Sequence, residues 1–201
     1  MDVDSTLIQD EVIELLADHA GKRAEVAEVT ERAMRGELDF ASSLIERVAT
    51  LKGLPANVLE ETLKSVRLSE GAEKLISAVH QAGGKVGAVS GGFIQILRPL
   101  AAQLGLDYSR ANELEVTDGK LTGKVLGRII DRQAKADALL EWAEDFGVSI
   151  DETMAIGDGA NDIGMFEVAG ISVAYHAKPA AREAASLVID EPDLALVIPH
   201  L

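Results

Sequence analysis

The chain has 201 residues, 47% of them apolar but only 3% aromatic, and a formal charge of −15. It contains no cysteine, which excludes disulfides, thiolate nucleophiles and zinc–thiolate centres and suits a reducing, cytoplasmic setting. So acidic a balance argues against nucleic acid as a partner, and no apolar run reaches membrane-spanning length. The length allows one aliphatic core domain plus a modest insertion.

In chain order, Met1-Asp2-Val3-Asp4-Ser5-Thr6 comes first: two carboxylates one residue apart, then two hydroxyls. Alone, such a stretch would equally open a calcium loop or form an acidic turn. Gln9 to about Lys64 reads as helices without a strand. Val12, Ile13, Leu15 and Leu16 mark one apolar face that ends near Gly21, and Val26, Val29 and Ala33 mark a second that stops at Gly36. Asp39 suits the N-cap of a third helix carrying Phe40, Leu44, Val48 and Leu51, and Pro55 suits the first turn of a fourth.

After Ser69 the pattern alternates. A helix through Leu75, Ile76 and Val79 ends at Gly83-Gly84, and Lys85 to Ser90 reads as a short buried strand. The helical stretch Phe93 to Leu104 is expected to kink or restart at Pro99. Leu106 to Val125 reads as a hairpin turning at Asp118-Gly119. Asp131 to Phe146 is the clearest helix, with Ala136, Leu139, Leu140, Ala143 and Phe146 inward, Trp142 as packing, and Gly147 closing it. Three strands, Met154–Ile156, Ile171–Ala174 and Leu187–Ile189, are each followed by helical sequence. Such alternation predicts an α/β fold with a parallel sheet wrapped by helices and functional loops at the carboxyl ends of its strands, where Ser90 and Asp158 fall.

Four pieces stand out in this order: the opening acidic stretch, Val86-Gly87-Ala88-Val89-Ser90-Gly91-Gly92, Lys135, and Gly157-Asp158-Gly159-Ala160-Asn161-Asp162. Taken singly they read as ordinary turns and a solvated lysine. As a set, spread over the whole chain, they resemble the haloacid dehalogenase superfamily of aspartyl-phosphate phosphatases, and within it the branch that acts on O-phospho-L-serine. The resemblance implies a Rossmann-like three-layer core (residues 1–8 and 66–201) and a small inserted helical cap (9–65). It also implies a buried strand ahead of the first aspartate. Only Met1 precedes Asp2 here, so the natural product is expected to begin upstream.

The same resemblance assigns roles. Asp2 is the nucleophile and Asp4 the general acid and base. Asp2, Asp4 (through its backbone carbonyl) and Asp158 hold Mg²⁺, which oxygen ligands of this kind suit. Ser90, the Gly91 N–H, Lys135 and Asn161 bind the phosphate, with Asp162 supporting them from behind. Glu11 receives the substrate ammonium and Arg47 its carboxylate; without the resemblance both read as solvated charges on helix faces. Phe40 and Met34 fit the closing side and the core of the cap equally well. The partner expected is a small phosphoester. The oligomeric state stays open, a homodimer included. Alternatives are another small ester such as phosphohomoserine, phosphoryl transfer to a second acceptor, or an inactive metal-binding module.

Overall fold

The computed structural model describes residues 1–35 and 37–201, Met34 by its backbone alone. Gly36, the expected end of the second helix, and the Met34 side chain thus lie outside the described residues. Four helices follow the opening loop: α1 (Val12–His19), α2 (Arg23–Met34), α3 (Phe40–Ala49) and α4 (Val58–Ser65). Asp39 caps α3, its Oδ2 accepting the Ser42 N–H at 2.8 Å, as expected of a short acceptor at a helix start. Pro55 instead lies ahead of α4, bridged to Lys120, because residues 53–56 are occupied in binding a hairpin described below.

The remainder alternates: α5 (Ala72–Gln81), β1 (Gly87–Phe93), α6 (Ile94–Leu104), β2 (Tyr108–Thr117), β3 (Lys120–Leu126), α7 (Arg132–Phe146), β4 (Met154–Gly157), α8 (Ile163–Val168), β5 (Ile171–Tyr175), α9 (Pro179–Ala184) and β6 (Leu187–Ile189). Strands β1 and β2 pair in parallel, as do β4, β5 and β6 in a second sheet. The first two residues join the sheets. The Met1 amine donates to Gly87 O at 2.7 Å and Val89 N–H to Met1 O at 3.0 Å, while Asp2 N–H donates to Ile156 O at 2.8 Å. Met1 and Asp2 therefore sit between β1 and β4 and hold both.

Alternation along the strands makes the layers. Ala88 and Ile156 face a core completed by Leu75, Ile76 and Leu97 of α5 and α6, whereas Val89 and Ala155 face Ala134, Ala138, Met165 and Ala181 of α7, α8 and α9. Helices on both faces of a largely parallel sheet give a three-layer α/β fold.

The hairpin forms as expected. Thr117 pairs with Lys120, and Asp118 and Gly119 both have positive φ (51° and 71°), the conformation a two-residue hairpin turn demands. Its far end runs beside the helical segment: Gly53 N–H donates to Leu121 O, Ala56 N–H to Gly119 O, and Leu121 N–H to Leu54 O.

The restart allowed for at Pro99 and part of the inward face expected of α7 are not seen. Helix α6 runs through Pro99 without a restart; the lost N–H is outweighed by burial of Ile96, Leu97, Leu100 and Ala101 on one face. In α7, Leu140 is 43% and Phe146 37% exposed. The helix is turned so that Ala134, Lys135, Ala138 and Ala143 lie inward; Leu140, five residues past Lys135, is then about 140° away around the axis. Trp142 packs as expected, stacked on Tyr108 with ring centres 5.3 Å apart. Among the described residues no helix is long and apolar enough to cross a membrane.

Candidate active site

The site forms where the sheets meet, from three separate stretches. Met1–Asp2 leads into a tight turn over Val3–Leu7 in which Ser5 adopts a left-handed φ of 55°. That turn folds the chain back on itself, so Asp2 and Asp4 both end up buried. The Asp2 carboxylate accepts the Val3 N–H at 2.7 Å and the Lys135 ammonium at 2.7 Å, both on Oδ1. Burial, and next the neighbouring Asp162, push its carboxyl up to about 7 against the pull of Lys135.

Lys135 enters from the first turn of α7. Asp131 caps that helix by accepting the Ala134 N–H at 2.9 Å, and this fixes where Lys135 begins. Lys135 is fully buried, with Nζ 2.6 Å from Asp162 Oδ1 as well as 2.7 Å from Asp2. Burial alone would depress its pKa; Asp162 and Asp2 outweigh that and raise it, so it stays charged.

The third stretch follows β4. Asp162 turns back on its own loop, its Oδ2 accepting the N–H groups of Asp158 and Gly159, each at 3.0 Å. Gly157 permits this, because a Cβ there would run into the Asp162 carboxylate. Burial, then Asp162 and Asp2, raise the Asp158 carboxyl well above its ordinary value. Carboxylate oxygens of Asp2, Asp158 and Asp162 lie within 4.8 Å of one another. Asp162 is already engaged by Lys135 and two N–H groups, which leaves Asp2 and Asp158 as the side chains available to a cation. The donors are all oxygen, the three carboxylates face the single ammonium of Lys135, and the buried Asn161 Oδ1 beside them has no hydrogen-bond partner among the described residues. These residues fit a hard divalent metal ion.

The Asp4 carboxylate has its own partners. Its Oδ1 accepts the Val12 N–H at 3.1 Å and its Oδ2 the Ser90 hydroxyl at 3.4 Å. Burial, only partly opposed by the Val12 N–H, lifts its pKa to about 6. Ser90 in turn accepts the Gly92 N–H at 2.7 Å, which shapes the Ser90–Gly92 bend at the end of β1.

Asp2, Asp4, Gly91, Gly92 and Asn161 form the floor of a small cavity, about 30 Å³, and Glu11, Ile13, Thr30, Phe40, Leu44 and Arg47 of the helical segment enclose it. Two opposite charges flank it. Glu11 is held by the Ser5 hydroxyl at 2.6 Å, and burial followed by Asp4 and Asp158 raises its pKa well above the ordinary value. Arg47 is 5% exposed and makes no ion pair among the described residues; its bonds go to Ser43 O (3.0 Å), Thr30 Oγ1 (2.8 Å) and, loosely, Ser43 Oγ (3.5 Å). Burial lowers its pKa, with Glu11 and Asp4 pulling the other way. A buried guanidinium without a carboxylate in contact is suited to an anionic ligand group.

The structure thus brings together all ten residues singled out in the sequence: Asp2, Asp4, Glu11, Arg47, Ser90, Gly91, Lys135, Asp158, Asn161 and Asp162. Three more were missed. Thr6 reaches Asp158 Oδ1 at 3.5 Å, Thr30 holds Arg47, and Asn112 bridges two loops, its Nδ2 donating to Gly91 O at 2.7 Å and its Oδ1 accepting the Ile130 N–H at 2.8 Å. Thr6 stood inside the opening motif. An asparagine within a hairpin strand was the one available sign of Asn112, and Thr30 gave none.

Residues 1–167 match the profile of the haloacid dehalogenase-like hydrolases. A phosphoserine phosphatase of Streptococcus thermophilus is 52% identical over 198 residues, 98% of this chain and 92% of the relative. One from Streptomyces coelicolor is 55% identical over 198 residues, but the chain spans only 48% of its length. A solved structure of a phosphoserine phosphatase with an analogue of the phospho-aspartyl intermediate superposes with a TM-score of 0.97 at 42% identity, covering 100% of this chain and 96% of that one. The residues of this site and these matches place the chain in the haloacid dehalogenase-like hydrolase family, to which it belongs.

Proposed function

We propose that the chain is a phosphomonoesterase that hydrolyses O-phospho-L-serine to serine and phosphate. The observation that carries the substrate is the pair of fixed opposite charges, Glu11 and Arg47, flanking one cavity whose floor holds Asp2 and Asp4. A zwitterionic amino acid bearing a phosphate presents an ammonium, a carboxylate and a phosphoryl group to those three places. Named relatives with this activity at about half identity support the reading. In this reading, residues 9–65 act as a cap over a core of residues 1–8 and 66–201. A cavity of about 30 Å³ has room for a few waters at most, so substrate enters as the cap lifts, and closure excludes bulk water from the reacting groups.

Asp2, Asp158 and the main-chain carbonyl of Asp4 would hold Mg²⁺, which supplies positive charge to offset the repulsion between carboxylate and phosphoryl group. The chain's own residues do the rest. Asp2 attacks phosphorus, forming the aspartyl-phosphate as the ester P–O bond breaks. Asp4, with a carboxyl near 6, gives its proton to the departing serine oxygen and then takes one from the water that attacks phosphorus, which releases phosphate and frees Asp2. Ser90, the Gly91 N–H, Lys135 and Asn161 orient the phosphoryl oxygens, and Asp162 fixes Lys135 and the Asp158 loop. The reducing cytoplasm is the compartment that a cysteine-free enzyme of this kind suits.

The test is phosphate release from O-phospho-L-serine with Mg²⁺ and with EDTA, alongside an aryl phosphate. Release should require Mg²⁺ and vanish in Asp2→Asn. Arg47→Ala should lose phosphoserine hydrolysis at least tenfold, the size of a lost charge-assisted pair, yet spare the aryl phosphate. Absence of release with Mg²⁺, or equal loss on both substrates in Arg47→Ala, would overturn the reading.

A further inference from the structure

Arg47 can discriminate only if its guanidinium presents one fixed edge to the cavity, and its long side chain does not guarantee that. The anchors come from two helices. Ser43, one turn earlier on α3, offers its carbonyl to Nε at 3.0 Å. From α2, Thr30 offers Oγ1 to Nη1 at 2.8 Å. The Thr30 hydroxyl is not free to turn, because it donates its one hydrogen to Val26 O, a turn back on α2, at 2.9 Å. With the hydrogen so committed, a lone pair faces Arg47. Thr30 is 4% exposed, so water does not readily replace it. Nε and one Nη1 hydrogen are thus consumed. Nη2, whose contact to Ser43 Oγ is a loose 3.5 Å, and the second Nη1 hydrogen remain for a ligand.

We propose that Thr30 is a positioning residue: its hydroxyl, locked by Val26, orients the Arg47 guanidinium so that its Nη edge meets the substrate carboxylate. The inference rests on the reading of Arg47 given above. Among the described residues Thr30 bonds to Val26 and Arg47 and makes no hydrogen bond to Asp2 or Asp4, so it acts on selection and not on bond breaking. It couples α2 to α3, and the two helices together set the width of the carboxylate subsite.

The test uses the whole chain with Mg²⁺ and two substrates, O-phospho-L-serine and an aryl phosphate. Thr30→Val keeps the shape and removes the acceptor. It should raise KM for phosphoserine about tenfold, the effect of one hydrogen bond to a charged group, with kcat and the aryl phosphate reaction within twofold of wild type. Thr30→Ser restores the hydroxyl and should return KM to within threefold. In the Arg47→Ala background, Thr30→Val should change nothing further, since its effect passes through the guanidinium. An unchanged KM in Thr30→Val, equal losses on both substrates, or an additive loss in the double variant would each overturn the proposal. Should Thr30→Val not fold, a tenfold KM rise in Thr30→Ser would overturn it by assigning the role to the methyl group. Failure of the Arg47 reading is seen separately, in Arg47→Ala losing both substrates alike.

Discussion

Several polar side chains of this site are buried and held by hydrogen bonds that fix their orientation. Asp162 has one oxygen on Lys135 and the other on two N–H groups, so it is a brace and not a free ligand. Asn112 is the sharper case, since it is 1% exposed and ties the Gly91 carbonyl to the Ile130 N–H across two loops. Asn112→Ala deprives the buried Ile130 N–H and the half-buried Gly91 carbonyl of this partner, at a cost of about 1–3 kcal/mol. Urea unfolding should report that loss, and phosphatase activity should fall about tenfold as the Ser90–Gly92 bend loosens. Unaltered stability would mean that water replaces the side chain.

Between elements, one charged tether lies where a helix hands over to a strand. Asp107 precedes β2 and accepts from His80 at the end of α5 (2.9 Å), from Lys85 (2.8 Å) and from the Val86 N–H (2.9 Å) ahead of β1. Burial alone would raise its pKa, but the hydrogen bonds from Lys85, Val86 and His80 prevail and hold it down at about 2, against an ordinary 3.8. A carboxyl lowered on folding stabilises the fold fully above the unfolded value and ceases to do so as pH falls through the folded one. Asp107→Asn should therefore be less stable than wild type at neutral pH, by about 0.5–1 kcal/mol because the tether is screened by solvent. The gap should narrow between pH 4 and pH 2. Unfolding curves with a gap independent of pH would refute this account of the tether.

On the scale of the molecule, the acidic site is also a joint. Asp2 lies between the two sheets, Lys135 comes from a helix on one face, and Asp158 and Asp162 come from the loop after β4. The raised carboxyls of Asp2 and Asp158 reflect burial first and then repulsion from Asp162. A divalent cation should relieve that repulsion and bind the folded chain alone. Mg²⁺ at a hundredfold above its Kd should then add about 2.7 kcal/mol relative to EDTA-treated protein. Asp158→Asn should lose most of this increment. A melting temperature insensitive to Mg²⁺ would sink the metal assignment.

The sequence by itself determined the α/β order, the Asp118-Gly119 hairpin, the cap at Asp39, and the four motifs that the chain folds into one site. These are local matters, set by periodicity, by turn stereochemistry and by which short side chains can satisfy a helix end. Only the tertiary structure decided the rotation of α7 that buries Lys135 and exposes Leu140, the continuity of α6 through Pro99, and the seating of Met1 and Asp2 between the sheets. It also decided which groups Asn112 and Thr30 meet. Their bonds run to residues 17–21 positions away, and nothing in the spacing of hydroxyls and amides along a chain records which distant group will lie opposite once the core has closed.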